Sequence, residues 1–349
     1  MSFQFRAQLP DLLLVLGLGG LGAFGARQFG LPLPFLLGSL IVTATASLTL
    51  FARTGRRLWF PQTLRKTFVA TIGVMIGTTF APSLLSSLPG MWRTLLAMVI
   101  FVLLAQGLGY LIFRGIGRYD RTTALFAAMP GGLIEAIALG EKAGGDVETL
   151  SLQHFARIVL VVIAIPGFFY IWTGEAVGSA AGQTLEKAPP ELFDWLAFVV
   201  LVPLGIILGE RLRLPASHLM GPLLLSAVLH GSGVLALTGP TVLLNTAQLV
   251  VGAGLGVMFA RSTPKRLLIG FALGSVSVGT VLGLGMGMAT LLAPHVSMSF
   301  ESLLISFAPG GITEMSLIAL SLGISPVLVA AHHLFRIVLT VTMAGLFFR

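Results

Sequence analysis

Two stretches of this sequence carry groups that could bind or move charge. Residues 130–135 read Pro-Gly-Gly-Leu-Ile-Glu, and residues 309–314 read Pro-Gly-Gly-Ile-Thr-Glu. Nineteen residues after each glutamate stands a histidine, His154 or His333. Three further on comes Arg157 or Arg336, each opening an identical Arg-Ile-Val-Leu, and the two copies stay 179 residues apart throughout. Each copy thus sets a helix breaker, two glycines, a carboxylate, an imidazole and a guanidinium into apolar sequence.

The chemistry open to these groups is anion binding. A helix that restarts after a break presents bare N–H groups and partial positive charge at its N-terminus. Gly131, Gly132, Gly310 and Gly311 would let a ligand approach them. A guanidinium grips carboxylate or phosphate through two parallel bonds. The candidate substrate site is therefore Pro130, Gly131, Gly132, Glu135 and Arg157 with Pro309, Gly310, Gly311, Glu314 and Arg336. The plainer alternative is a pair of kinks in ordinary helices. A charge at the bilayer centre costs at least about 2.5–3.5 kcal/mol, so it has a partner or a task. Glu135 with Arg157, and Glu314 with Arg336, are expected either as ion bridges between hairpin and helix or as anion clamps. Histidine changes charge near neutral pH, which makes His154, His333, Glu135 and Glu314 candidates for a proton relay; neutral packed histidines are the alternative. His332 beside His333 does not suggest a metal pair, since adjacent helical positions diverge by about 100°. No metal, cofactor or enzymatic activity is expected.

These groups need a membrane to hold them. The chain of 349 residues is 56% hydrophobic and 10% charged, with a net charge of +8 and no cysteine, whereas soluble domains carry roughly 25% charged residues. Its basic residues lie in short loops between apolar runs, which points to membrane topology and lipid rather than nucleic acid. Twelve apolar segments lie at roughly 12–29, 33–52, 68–83, 95–113, 122–140, 150–173, 194–209, 217–235, 245–260, 267–292, 302–322 and 326–348. The last six repeat the first six. Leu-Pro-Leu-Pro-Phe-Leu-Leu-Gly-Ser-Leu (31–40) answers Leu-Pro-Ala-Ser-His-Leu-Met-Gly-Pro-Leu (214–223), and Gly73 and Gly77 answer Gly252 and Gly256. Residues 1–173 and 194–349 are read as two membrane repeats, joined by an acidic linker, 174–193. Asp11 matches Asp194 at an offset of 183, so the first segment is half of a duplicated unit and not a cleaved signal.

Orientation follows from the loops. With twelve crossings the basic residues of loops and ends divide 11 against 8. If the fifth and eleventh segments dip in and return, the division becomes 16 inside against 3 outside (Arg27, Arg93, Lys187). Lysine and arginine favour the cytoplasmic side, so the expected fold is all-α and polytopic: two inverted repeats, each of five crossings plus one Pro-Gly-Gly re-entrant or broken hairpin. Ten crossings are expected, with twelve as the alternative. Both termini are then cytoplasmic and the linker extracytoplasmic. Arms of about eight residues, 122–129 and 133–140, reach about 12 Å each, near mid-membrane.

Other signals read as packing. Gly17-Leu-Gly-Gly-Leu-Gly22 matches the dinucleotide fingerprint but lacks the preceding strand. Gly279, Gly283 and Gly287 are expected as a close helix-packing face, with Met286 and Met288 packing beside them. Arg53–Lys66 with Trp59 and Phe60 is expected as an interfacial anchor.

The Leu-Pro-x-x-x-Leu-Leu/Met-Gly stretches and the Pro-Gly-Gly-x-x-Glu copies followed by Arg-Ile-Val-Leu resemble the AbrB family of bacterial membrane proteins, which is distinct from the soluble DNA-binding regulator of that name. The resemblance covers nearly the whole chain. It implies an inner-membrane protein of duplicated architecture and leaves the substrate open. Family labels include ammonia monooxygenase, regulator and transporter. The first fits poorly, because oxygen activation needs clustered ligands and the six histidines are scattered. The first copy carries Gln153 where the second has His332. The expected function is a secondary transporter of a small anionic organic solute, coupled to H+ or Na+ and working by alternating access. A membrane-embedded sensor or regulator and a passive channel are the alternatives. Self-association into a homo-oligomer is left open.

Overall fold

The computed structural model describes residues 3–31, 33–80, 88–174, 189–214, 216–258 and 264–347. Among these residues the chain is helical, with no strand. Fourteen α-helices follow one another: α1 (Phe3–Gln28), α2 (Pro34–Thr54), α3 (Gln62–Thr78), α4 (Trp92–Leu111), α5 (Arg121–Ala127), α6 (Leu133–Lys142), α7 (Val147–Thr173), α8 (Leu192–Arg211), α9 (Ser217–Gly231), α10 (Thr241–Val257), α11 (Pro264–Leu292), α12 (Phe300–Phe307), α13 (Ile312–Ser321) and α14 (Pro326–Phe347). The twelve predicted segments all reappear. The fifth and eleventh are each split in two, at Pro-Gly-Gly. Among the described residues seven helices are long and apolar enough to cross a membrane, and α4 and α8 expose apolar side chains such as Leu96, Ile100, Leu103, Val199 and Val200. The protein is a polytopic, all-helical membrane protein. Most of the linker, 175–188, lies outside the described residues.

The chain forms two compact units, and each takes helices from both repeats. One unit holds α1–α3, α8–α10 and the part of α7 from Pro166 onward. Inside it α2 packs on α10 and α3 on α9, while α1 lies on α2 and α8 on α9. Small residues make this exchange close. A Cβ at Gly73 or Gly77 would meet the backbone of α9, and one at Gly252 or Gly256 would meet that of α2. Thr43 Oγ1 donates to the Ala253 carbonyl at 3.3 Å, and Ser226 Oγ to the Val74 carbonyl at 2.8 Å. Those two bonds are copies of one another across the repeat. So are two ties to loop backbone: Asp11 accepts from the Trp59 N–H at 3.2 Å and Asp194 from the Thr238 N–H at 3.0 Å. Leu33 and Ala216, the N-caps of α2 and α9, both take left-handed φ (43° and 47°). Gly22 abuts the Gly38 backbone inside this packing, so the fingerprint-like stretch is a helix contact. Phe60 differs from its predicted role, because it turns inward against Gly254.

The other unit holds α4–α6, α7 as far as Ile165, and α11–α14 apart from the end of α13. Asp120 caps α5 by accepting the Thr123 N–H at 2.9 Å. Pro130-Gly131-Gly132 then breaks the helix, and Gly132 takes φ 69° as the N-cap of α6, a conformation open to glycine at no steric cost. At the far end of α6 the Asp146 N–H donates to Thr123 Oγ1 at 2.9 Å. Gly140 faces Phe126, and Gly145 faces Thr122. The chain therefore returns to where it entered, and α5–α6 is a helical hairpin with Pro-Gly-Gly at its tip. In the second copy Ser299 caps α12, and α12 packs on α14. Helix α7 lies close to α11, where Gly270 meets Leu152 and Gly274 meets Ala156 and Leu160. The predicted close face at Gly279, Gly283 and Gly287 is not made: a Cβ at any of them would meet open space. The four-residue spacing marks a smooth stripe but does not say that another helix lies on it.

A paired substitution tests this packing. Gly256→Ala should lower the melting temperature in detergent, since a methyl there meets Thr43 and the Leu40 carbonyl, at a cost of about 1–3 kcal/mol for overpacking. Gly283→Ala should be neutral or stabilising by up to about 1 kcal/mol, as in an open helix interior. Equal melting shifts would refute the assignment.

Candidate functional site

A helix broken within a membrane leaves its last carbonyls and the next helix's first N–H groups unpaired, and in hydrocarbon each such group costs several kcal/mol. Side chains from neighbouring helices meet the carbonyls here. At the end of α5, Gln106 Nε2 donates to the Leu125 carbonyl at 2.8 Å, His154 Nε2 to the Phe126 carbonyl at 3.0 Å, and Arg157 Nη1 to the Met129 carbonyl. In the second copy Arg336 Nη1 donates to the Ala308 carbonyl and Nη2 to the Gly310 carbonyl at 2.7 Å. Met129 and Ala308 are equivalent positions, each directly before the motif proline. The two arginines thus do the same job in both copies.

The glutamates go to the opposite helix ends. Glu135 and Glu314 lie in the first turns of α6 and α13. Their carboxylates fold back over Gly132 and Gly311, where a Cβ would meet Oε2. The expected Glu135–Arg157 bridge is therefore not formed. Ion pairs among the described residues include Arg56–Asp11 and Arg266–Glu148 at 2.6 Å, but not that one. The reason is electrostatic: a helix C-terminus is partly negative and an N-terminus partly positive, so the cation goes to the first and the anion to the second.

A small cavity lies at the two Pro-Gly-Gly breaks within this unit. It is lined by Pro130, Pro309, Arg157, Gln153, Ser277 and Phe113, among others, and has a volume of about 10 Å³, room for about one water. Two atoms of its walls are buried without a partner, Gln153 Oε1 and Arg157 Nε. Gln153 is only 2% exposed, and its Nε2 donates to the Tyr119 hydroxyl oxygen at 2.7 Å. Burial pushes the Tyr119 phenol above its ordinary pKa, so it stays neutral and holds the amide in one orientation.

Of the predicted residues, Pro130, Pro309 and Arg157 meet at this cavity. Gly131 instead abuts Ile337, Gly132 approaches Val341, and Gly310 lies under Met315. Arg336 is 0% exposed and donates to two carbonyls, with its Nε buried without a partner and the residue outside the cavity lining. His154 and His333 are buried, the second holding its own helix through Nδ1 to the Val329 carbonyl at 3.0 Å. His332 turns to Thr94, with Nε2 2.8 Å from the hydroxyl. Gln153, Gln106, Tyr119 and Ser277 are contributors that sequence reasoning did not select. A signal existed for one of them: Gln153 stands four residues before Arg157, at the position where the repeat changes to His332.

Arg336→Ala should cost about 3 kcal/mol, because two charge-assisted bonds are lost and two carbonyls are left bare. Arg157→Ala, with one such bond, should cost about half that. Thermal unfolding in detergent reads the order, and a reversed order would contradict the assignment.

The family profile described as "Transition state regulatory protein AbrB" matches residues 46–349. A curated relative, "Putative regulator AbrB" of Escherichia coli (strain K12), is 26% identical over 271 residues, covering 75% of this chain and 76% of the relative. With the family profile matching most of its length, this chain belongs to the AbrB family.

Proposed function

We propose that the protein is a secondary transporter of small anionic organic solutes in the bacterial inner membrane. The observation that supports this best is the cavity at the two Pro-Gly-Gly tips, where a guanidinium N–H and an amide oxygen are buried without partners. A buried orphan donor on a cation costs free energy that an anion would recover. Broken helices meeting at a pseudo-two-fold site are the recurrent plan of secondary transporters. The doubling back of α5–α6, with the 16-to-3 division of loop charge, supports inverted repeats with re-entrant tips and cytoplasmic termini. At about one water in volume the cavity is a closed state, and alternating access supplies the opening. Displacement of Glu135 or Glu314 from its helix end would couple substrate entry to H+ or Na+.

A second reading, a membrane-embedded regulator that binds a ligand without moving it, is favoured by the name of the Escherichia coli relative, "Putative regulator AbrB". Flux separates the two. Proteoliposomes holding the purified protein should take up labelled small carboxylates under a pH or sodium gradient, and Arg157→Ala should abolish uptake while Arg157→Lys keeps a part of it. Saturable binding without any flux would overturn transport in favour of the regulator. Topology has its own test, helped by the absence of native cysteine. Ala143→Cys should label from the cytoplasmic side and Pro190→Cys from the outside; the reverse pattern would sink the inverted arrangement.

A further inference from the structure

The two copies of the motif are not equivalent at the cavity, and the difference bears on substrate chemistry. In the second copy Arg336 donates to two carbonyls and His332 is held between the Leu328 carbonyl at 2.8 Å and Thr94 at 2.8 Å; Arg336 Nε and His333 Nε2 are also buried without partners, but neither residue lines the cavity. In the first copy Arg157, which does line the cavity, uses Nη1 on Met129 and has its Nε buried without a partner. Gln153 stands one helical turn before Arg157, so both lie on one face of α7. Its amide nitrogen is held by Tyr119, which fixes the carbonyl oxygen as the atom left without a partner. The wall thus offers one cationic donor and one neutral acceptor side by side. A ligand that satisfies both must carry an anionic oxygen next to a hydrogen-bond donor. A plain carboxylate would satisfy the donor and leave Gln153 Oε1 bare. An ammonium as the second group would sit beside the like charge of Arg157, which lines the same wall. A hydroxyl carries no such penalty. Phe113, Val278 and Val281 line the same space, which suits a carbon skeleton better than an inorganic oxyanion.

We infer that the polar groups that recognise substrate come from the first repeat, and that the substrate class is the 2-hydroxycarboxylates, whose carboxylate accepts from Arg157 Nε while the hydroxyl donates to Gln153 Oε1. The inference rests on the anion-site reading above and adds Gln153 as the residue that sets specificity, with Tyr119 positioning it. A site built to bond a substrate hydroxyl rejects the analogue that lacks it, because its own buried group is then left unpaired.

Calorimetric titration of the purified full-length protein in detergent tests this with matched pairs, glycolate against acetate and lactate against propionate. The hydroxy acid of each pair should bind at least about tenfold tighter, the effect of one buried hydrogen bond. Gln153→Leu should remove that ratio by weakening only the hydroxy acids, and Tyr119→Phe should shrink it. Equal affinities within each pair in the wild type would overturn the inference and leave the anion site standing. Bicarbonate or phosphate binding as tightly as glycolate would overturn it in favour of an inorganic oxyanion. If none of the carboxylates binds to folded protein, the inference and the anion-site reading fall together.

Discussion

A helix that stops inside a membrane must have its severed ends satisfied by something other than water, and the site of this protein is organised by that need. Pro130 and Pro309 end α5 and α12, and the freed carbonyls are taken by cations and amides from α4, α7 and α14. The restarting helices take carboxylates at their first turns. Glu135 and Arg157, which looked like partners for each other, lie instead at helix ends. That explains how two arginines can be held in apolar surroundings; of the two, Arg157 is the one that lines the cavity.

The duplication gives this arrangement its frame. Six helices exchange partners so that the second helix of each repeat lies on the third helix of the other, with glycines at the contacts and paired hydroxyl-to-carbonyl bonds from Thr43 and Ser226. The broken helices of both repeats lie together in the other unit. One duplicated sequence therefore yields two units, each holding both copies of its part. The copies have diverged where ligand chemistry would be expected to act, with Gln153 in one and His332 in the other.

Much of this was legible in the residues. Apolar run length located the helices, and Pro-Gly-Gly marked the two breaks, because a proline without N–H followed by two glycines cannot continue a helix in water or lipid. The repeat itself flagged Gly73, Gly77, Gly252 and Gly256, whose close contacts are among the tightest in their unit. Other features depend on what stands across a gap, which no one-dimensional pattern records. The spacing of Glu135 and Arg157 permitted an ion bridge but could not reveal that each faced a helix end of opposite polarity. Gly279, Gly283 and Gly287 had the right period for a packing face and no helix to pack on. Gln106 and Tyr119 carry no motif, and their roles come only from the neighbours that folding supplies.

The claim on which the account rests is that an anion meets Arg157 at the hairpin tips. Solid-state NMR on the membrane-embedded protein measures this directly, through the dipolar coupling between the 13C-carboxylate of bound glycolate and 15N-labelled arginine side chains. The expected result is a contact within about 4 Å, the reach of a charge-assisted hydrogen bond, that vanishes in Arg157→Lys. Bound glycolate with no arginine contact, or a contact that survives the substitution, would contradict it.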